Sequence, residues 1–105
     1  MTGAELIAQE RQRQIDEEQY SLEHDATWHS KGELARAAAC YAFPNELRCN
    51  IEYAYIPNSI PSFWPWSWET WKPTPQDRIW ELVKAGALIA AEIDRLQKLP
   101  RSRRQ

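Results

Sequence analysis

Apolar and polar positions along this chain fall into three stretches of helical period, separated by segments that follow none. The first stretch opens at Thr2-Gly-Ala-Glu5, the Ser/Thr-x-x-Glu form of a capping box, and predicts a helix to about Glu18. Its apolar residues are sparse. Leu6, Ile7 and Ile15 stand among Glu10, Arg11, Arg13, Gln14, Glu17 and Glu18. A helix so polar either lies on the surface with one thin stripe inward or turns its polar face to a ligand or a second subunit.

Ser30-Lys-Gly-Glu33 repeats the capping-box pattern and predicts a second helix over residues 31–43, with Leu34, Ala37 or Ala38, and Tyr41 on one face. Alanines at 35, 37, 38, 39 and 42 keep it slim, so a neighbouring helix can come close, and Pro44 stops it. The third stretch opens at Thr74-Pro-Gln-Asp77. Thr74 suits an N-cap, Pro75 the first helical position, and Asp77 a site where the helix dipole favours an anion. That helix should run to about Leu99, with Pro100 ending it. Its residues Ile79, Leu82, Gly86, Ile89, Ile93 and Leu96 alternate three and four apart, the spacing of a packed seam. Trp80, Val83, Ala87 and Ala90 add a second stripe. A face that wide needs two neighbours, and a second copy as one of them predicts a homo-oligomer through the last helix. Gly86 costs about 1 kcal/mol against alanine in a helix interior, and close backbone approach would account for it.

Residues 19–29 read as a loop. Residues 45–61 read as irregular; a short strand over 49–56 and a short helix over 44–55 fit nearly as well. Residues 62–75 are rich in Trp and Pro. The expected fold is therefore all-α: three main helices with an irregular Trp/Pro-rich excursion between the second and third. One domain should span residues 1–99, followed by a disordered basic tail over 100–105.

Composition narrows the function classes. At 105 residues the chain is one domain with little stability to spare. A net charge of −2 disfavours duplex nucleic acid as a partner, because phosphate neutralisation needs a basic excess. No apolar run approaches the ~18–20 residues of a membrane span, and no secretory signal pattern opens the chain. The expected location is the cytoplasm. Cys40 and Cys49 lack CxxC spacing and make neither a zinc site nor a disulfide framework; Cys40, in the alanine-rich helix, reads as a buried thiol.

Three groups of residues are candidates for chemistry. Glu23, His24, Asp25 and His29 hold metal-ligand types, but His24 and His29 are five apart, which does not align them on one helix face. The better reading has His24 and Asp25 organising the loop and capping the next helix. Four of the six Trp, the second group, fall between Trp64 and Trp71. Trp64, Trp66 and Trp68 alternate and in an extended segment would point to one side, with Pro61, Pro65, Pro73 and Pro75 stiffening the backbone. These indoles can cover a small helical core as a lid, or form a platform for a base with Lys72 near its phosphate. Arg11, Arg13 and Gln14 form the third group, as phosphate forks or as internally paired surface charges. No Gly-rich phosphate loop and no nucleophile spacing is evident, so no catalytic residue, metal or cofactor is assigned.

The motifs Glu10-Arg-Gln-Arg-Gln14, Glu23-His-Asp25, Glu33-Leu-Ala-Arg-Ala-Ala-Ala-Cys-Tyr-Ala42, Trp64-Pro-Trp66 and Trp71-Lys-Pro73 together resemble a family of small proteins of tailed phages and prophages. Leu82-Val-Lys-Ala-Gly-Ala-Leu-Ile-Ala-Ala-Glu-Ile-Asp-Arg-Leu96 belongs to the same pattern, and residues 45–62 depart from it by being longer and more aromatic. The family has no assigned reaction, so the resemblance implies a setting, a bacterial host cytoplasm. The chain also resembles, more faintly, MazG-like all-helical nucleotide pyrophosphatases. Those hold Mg²⁺ with ExxE and ExxD pairs on facing helices, whereas Glu33 stands alone here and Glu92 and Asp94 are two apart. The resemblance thus implies a copy without the metal centre.

Together these readings predict a non-catalytic binding protein for a nucleotide-like ligand, used to sequester an immune signal of the host. The expected ligand set is Arg11, Gln14, His24 and Asp25 with Trp64, Trp66, Trp71 and Lys72. The alternatives are an adaptor or inhibitor docking on a host protein through the Trp loop, and a Mg²⁺-dependent nucleotide pyrophosphatase using Glu33, Glu92 and Asp94.

Overall fold

A computed structural model describes residues 1–17, 32–48, 61 and 63–98. The helices are α1 (Gly3–Glu17), α2 (Glu33–Ala42), the single turn α3 (Asn45–Arg48) and α4 (Arg78–Lys98). A 3₁₀ turn over Trp68–Thr70 lies between α3 and α4. The fold is all-α, and among the described residues there is no strand. No described helix is long and apolar enough to cross a membrane. The expected 19–29 loop with His24, Asp25 and His29, the Ser30 cap, the 49–60 segment and the 100–105 tail lie outside the described residues.

Local chemistry explains each helix end. Thr2 N–H donates to Glu5 Oε1 at 2.8 Å and Glu5 N–H to Thr2 Oγ1 at 3.1 Å, the reciprocal capping box. α2 begins two residues later than expected, after Gly32, whose φ of 82° lies in the left-handed region that glycine enters without a Cβ clash. It ends at Ala42 because Phe43 precedes proline and turns extended, with φ −61° and ψ 138°.

The start of α4 differs from expectation by one turn. Residues 74–77 form a turn closed by Asp77 N–H to Thr74 O at 2.8 Å. The cap is Asp77, whose Oδ1 accepts from Trp80 N–H at 3.1 Å. Thr74 is held back because its own N–H donates to Glu81 Oε2 at 2.8 Å. Glu81 is fully buried, and its Oε1 lies 2.9 Å from Arg78 Nη1. Arg78 also donates to the last carbonyls of α2, to Tyr41 O at 2.9 Å and to Ala42 O. One guanidinium thus caps α2 and neutralises a buried carboxylate on α4.

α4 is the spine on which α1 and α2 both pack. The core combines Leu34, Ala37, Cys40 and Tyr41 of α2 with Ala85, Leu88 and Ala91 of α4, closed over by Trp64 and Trp71. Alanines on both helices let the backbones approach, as the slim second helix predicted. Gly86 meets α1. A Cβ there would stand 2.4 Å from Ile7 Cδ1, so the close neighbour at this glycine is a side chain rather than the backbone that was expected.

The burial of α4 corrects one expectation. The 3-4 seam was expected to be packed, yet Ile79, Leu82, Ile89, Ile93 and Leu96 are exposed, while Val83, Ala87, Leu88 and Ala91 are buried. The neighbours sit on the side where small residues admit a helix, and the bulkier aliphatics are left outside. α1 brings the opposite surprise, since its buried residues are Glu10, Arg11 and Gln14, so its polar face is the one turned inward.

Candidate functional site

The Trp/Pro segment is fixed to the helices at several points. Arg36 Nε donates to Phe63 O at 3.4 Å, and Lys72 N–H donates to Tyr41 Oη at 3.3 Å. Trp64 Nε1 donates to Ser67 O and Thr70 Oγ1, each at 3.2 Å, closing the segment on itself around the 3₁₀ turn. On that turn the Ser67 hydroxyl donates to Glu69 and holds its carboxyl below the usual range, because the bond favours the ionised form.

The indoles do not share one side as an extended strand would place them. The turn distributes them: Trp71 is 3% exposed, Trp64 9% and Trp68 53%, with Trp66 half-buried. Trp64 meets Tyr41 edge-on at 5.6 Å between ring centroids and Trp71 lies tilted against it at 4.8 Å, and together they form a lid over the α2–α4 core. Trp66 packs edge-on against Trp64 at 5.4 Å and reaches the surface.

Beside this lid lies a cleft of about 310 Å³. Trp64 and Trp66 of the loop, Tyr41 of α2 and Trp80 of α4 supply its aromatic lining. Glu10, Arg13 and Gln14 enter from α1, and Lys72 and Lys84 from the loop and α4. Lys84 Nζ stands 4.2 Å over the Tyr41 ring and donates to Lys72 O at 3.3 Å. Among the described residues, none pairs with the Lys72 ammonium. Arg13 is answered by Glu10, in a bidentate pair at 2.8 and 2.7 Å, and by Glu17 at 3.5 Å. Among the lining side chains Glu10 and Arg13 offset each other, and Lys72 and Lys84 add two positive charges.

Gln14 is the unusual member. It is 4% exposed and its Oε1 meets no donor. Its Nε2 faces Glu10 Oε2 at 3.5 Å, and turning the amide over would set two acceptors against each other, so the oxygen is the atom left over. A buried carbonyl oxygen without a donor is costly.

Four residues expected from the sequence, Gln14, Trp64, Trp66 and Lys72, therefore line one cleft. Trp71 lies in the core behind it. Arg11 is directed elsewhere: its Nε and Nη2 both donate to Asp94 Oδ2 at 3.2 Å, and it is 7% exposed. His24 and Asp25 lie outside the described residues. Trp80 and Lys84 were missed as site residues, although their four-residue spacing places them on one face of the last helix. From the sequence Tyr41 was placed only on one face of the second helix.

A wider groove of about 760 Å³ shares Glu10, Arg13 and Trp80 with the cleft and extends along α1 to the start of α4. Asp16, Glu17 and Asp77 line it, which makes it a poor place for an anion. Two of the three acidic residues of the pyrophosphatase reading are engaged by arginines, Asp94 by Arg11 and Glu92 by Arg95 at 2.8 Å. Among the described residues no three His, Cys, Asp or Glu side chains gather as a metal site. The chain matches no protein-family model, no curated protein and no solved structure.

Proposed function

We propose that this protein binds a flat, anionic, nucleotide-like ligand in the 310 Å³ cleft, and does so without catalysis. The observation that carries the reading is convergence: half-buried Trp66 and Trp80, the buried Gln14 and two lysines meet in one hollow from three separate parts of the chain. Indoles stack on any base, ammonium groups answer phosphate charge, and the orphan Gln14 oxygen accepts from a base N–H. The volume lies at the lower end of small-molecule sites, about 300–1,000 Å³, and suits one nucleotide unit. In the bacterial setting implied by the resemblance to tailed-phage proteins, the use of such a site is to sequester a nucleotide-type immune signal. Isothermal titration against linear and cyclic nucleotides should give saturable binding that weakens in Trp66→Ala and Lys84→Ala. Heat signals indistinguishable from buffer across the panel would overturn the proposal.

A second reading has one observation in its favour. Trp68, 53% exposed on the 3₁₀ turn, is offered outward as an anchor for a host protein. A pull-down from bacterial lysate separates the two, because Trp68→Ala should abolish host-protein capture and leave nucleotide titration unchanged.

A further inference from the structure

α4 carries an apolar face that stays exposed among the described residues. At 100° per residue, the buried Glu81, Val83, Ala85, Ala87, Leu88 and Ala91 occupy the arc that faces α1 and α2. Ile79, Leu82, Ile89, Ile93 and Leu96 fall together on the opposite arc, about 100° wide. They are 69%, 47%, 48%, 50% and 45% exposed. Between residues 79 and 96 no charged residue falls on that arc, because Lys84, Glu92, Asp94 and Arg95 all project from the other side of the helix. The stripe is about 26 Å long at 1.5 Å per residue. Ile7, seated on Gly86, continues it on the α1 side.

The spacing of the stripe, counting Gly86, is three, four, three, four, three, and it reads the same in both directions. Two such helices laid antiparallel about a two-fold axis midway along the stripe therefore match position for position. Ile79 meets Leu96, Leu82 meets Ile93, and Ile89 meets the Ile7 side chain that covers Gly86. A closed two-fold pair uses the same patch on both copies and leaves none exposed. We infer that the partner of this face is a second copy of the chain, docked antiparallel through α4. The footprint is one helix wide, which places the interface at the small end, below about 1,200 Å² in total, and the association in the micromolar range. The inference stands apart from the ligand reading, since the cleft lies beside α2 and the Trp segment rather than on this stripe.

Sedimentation velocity from about 1 to about 300 µM tests it. The wild-type chain should shift from monomer to dimer over this range. Ile89→Glu/Ile93→Glu, which changes only exposed positions, should stay monomeric with an unchanged helical circular-dichroism spectrum. The register is tested in a Cys49→Ser background. Leu82→Cys/Ile93→Cys should form a covalent dimer on oxidation, and neither single cysteine variant should. A wild-type chain that is monomeric at every concentration, a dimer that survives the double glutamate variant, or self-linking by a single variant would each overturn the antiparallel α4 pair.

Discussion

Gly86 gives the sharpest test of how this fold is held together. In an exposed helix interior, Gly→Ala gains about 1 kcal/mol from helix propensity alone. Here the new methyl would stand 2.4 Å from Ile7 Cδ1, 2.7 Å from Cγ1 and 3.3 Å from Cγ2. Normal carbon contacts begin near 3.5 Å, so two of these approaches are untenable. Rotating the far end of Ile7 relieves Cδ1 but not Cγ1, and a β-branched residue in a helix has essentially one good χ1 rotamer. Either Ile7 leaves that rotamer or α1 moves off α4, at a cost of about 1–3 kcal/mol for overpacking. Gly86→Ala should therefore be neutral to about 2 kcal/mol destabilising. In an Ile7→Ala background the space is open, and the same substitution should stabilise by about 1 kcal/mol. The coupling energy of the cycle is about 1–3 kcal/mol. Urea unfolding followed by tryptophan fluorescence, at one fixed protein concentration, measures all four variants. If Gly86→Ala has the same effect in both backgrounds, the α1–α4 contact described above is wrong.

Three further outcomes follow from the same contacts. Trp71→Ala should cost about 3–5 kcal/mol in urea unfolding, because the indole is 3% exposed and packed against Tyr41; a loss under 1 kcal/mol would remove it from the core. Arg78→Met should destabilise by at most about 3 kcal/mol, discounted because Arg78 is a third exposed while Glu81 is fully buried. Adding Glu81→Met should recover part of that loss, and a double variant worse than the single one contradicts the pairing. Trp66→Ala should weaken nucleotide binding about 5- to 150-fold, the range of one base–aromatic stack, with little change in unfolding midpoint. A large stability loss without an affinity loss would instead make Trp66 part of the lid.

Much of the fold was legible in the chain because helix ends are local events. The Thr2/Glu5 capping box, the stop before Pro44 and the continuation of the last helix as far as Lys98 each depend on groups a few positions apart. The start of α4 was misplaced by one turn for the complementary reason. Thr74 and Asp77 are both competent caps, and the choice is made by Glu81, a helical turn farther on, which takes the Thr74 N–H. The candidate site was half legible. Aromatic and cationic residue types in the Trp segment and α1 mark themselves, but Trp80, Lys84 and Tyr41 become site residues only when three elements converge.

By itself, the sequence determined that the chain is helical, that its first helix is too polar to be buried all round, and that Gly86 sits at a close approach. Tertiary structure decided which faces are used. Periodicity reports two adjacent apolar stripes on α4, yet it cannot say which arc the neighbours take. Alanine-lined α2 and α1 take the small-residue arc, so the aliphatic stripe is left outside. Likewise Arg11 and Arg13, two positions apart on α1, part company only in three dimensions. Arg11 is drawn to Asp94 across the helix pair, and Arg13 remains at the cleft with Glu10. Which charge is structural and which is left for a ligand depends on residues more than eighty positions away, and that is a property of packing.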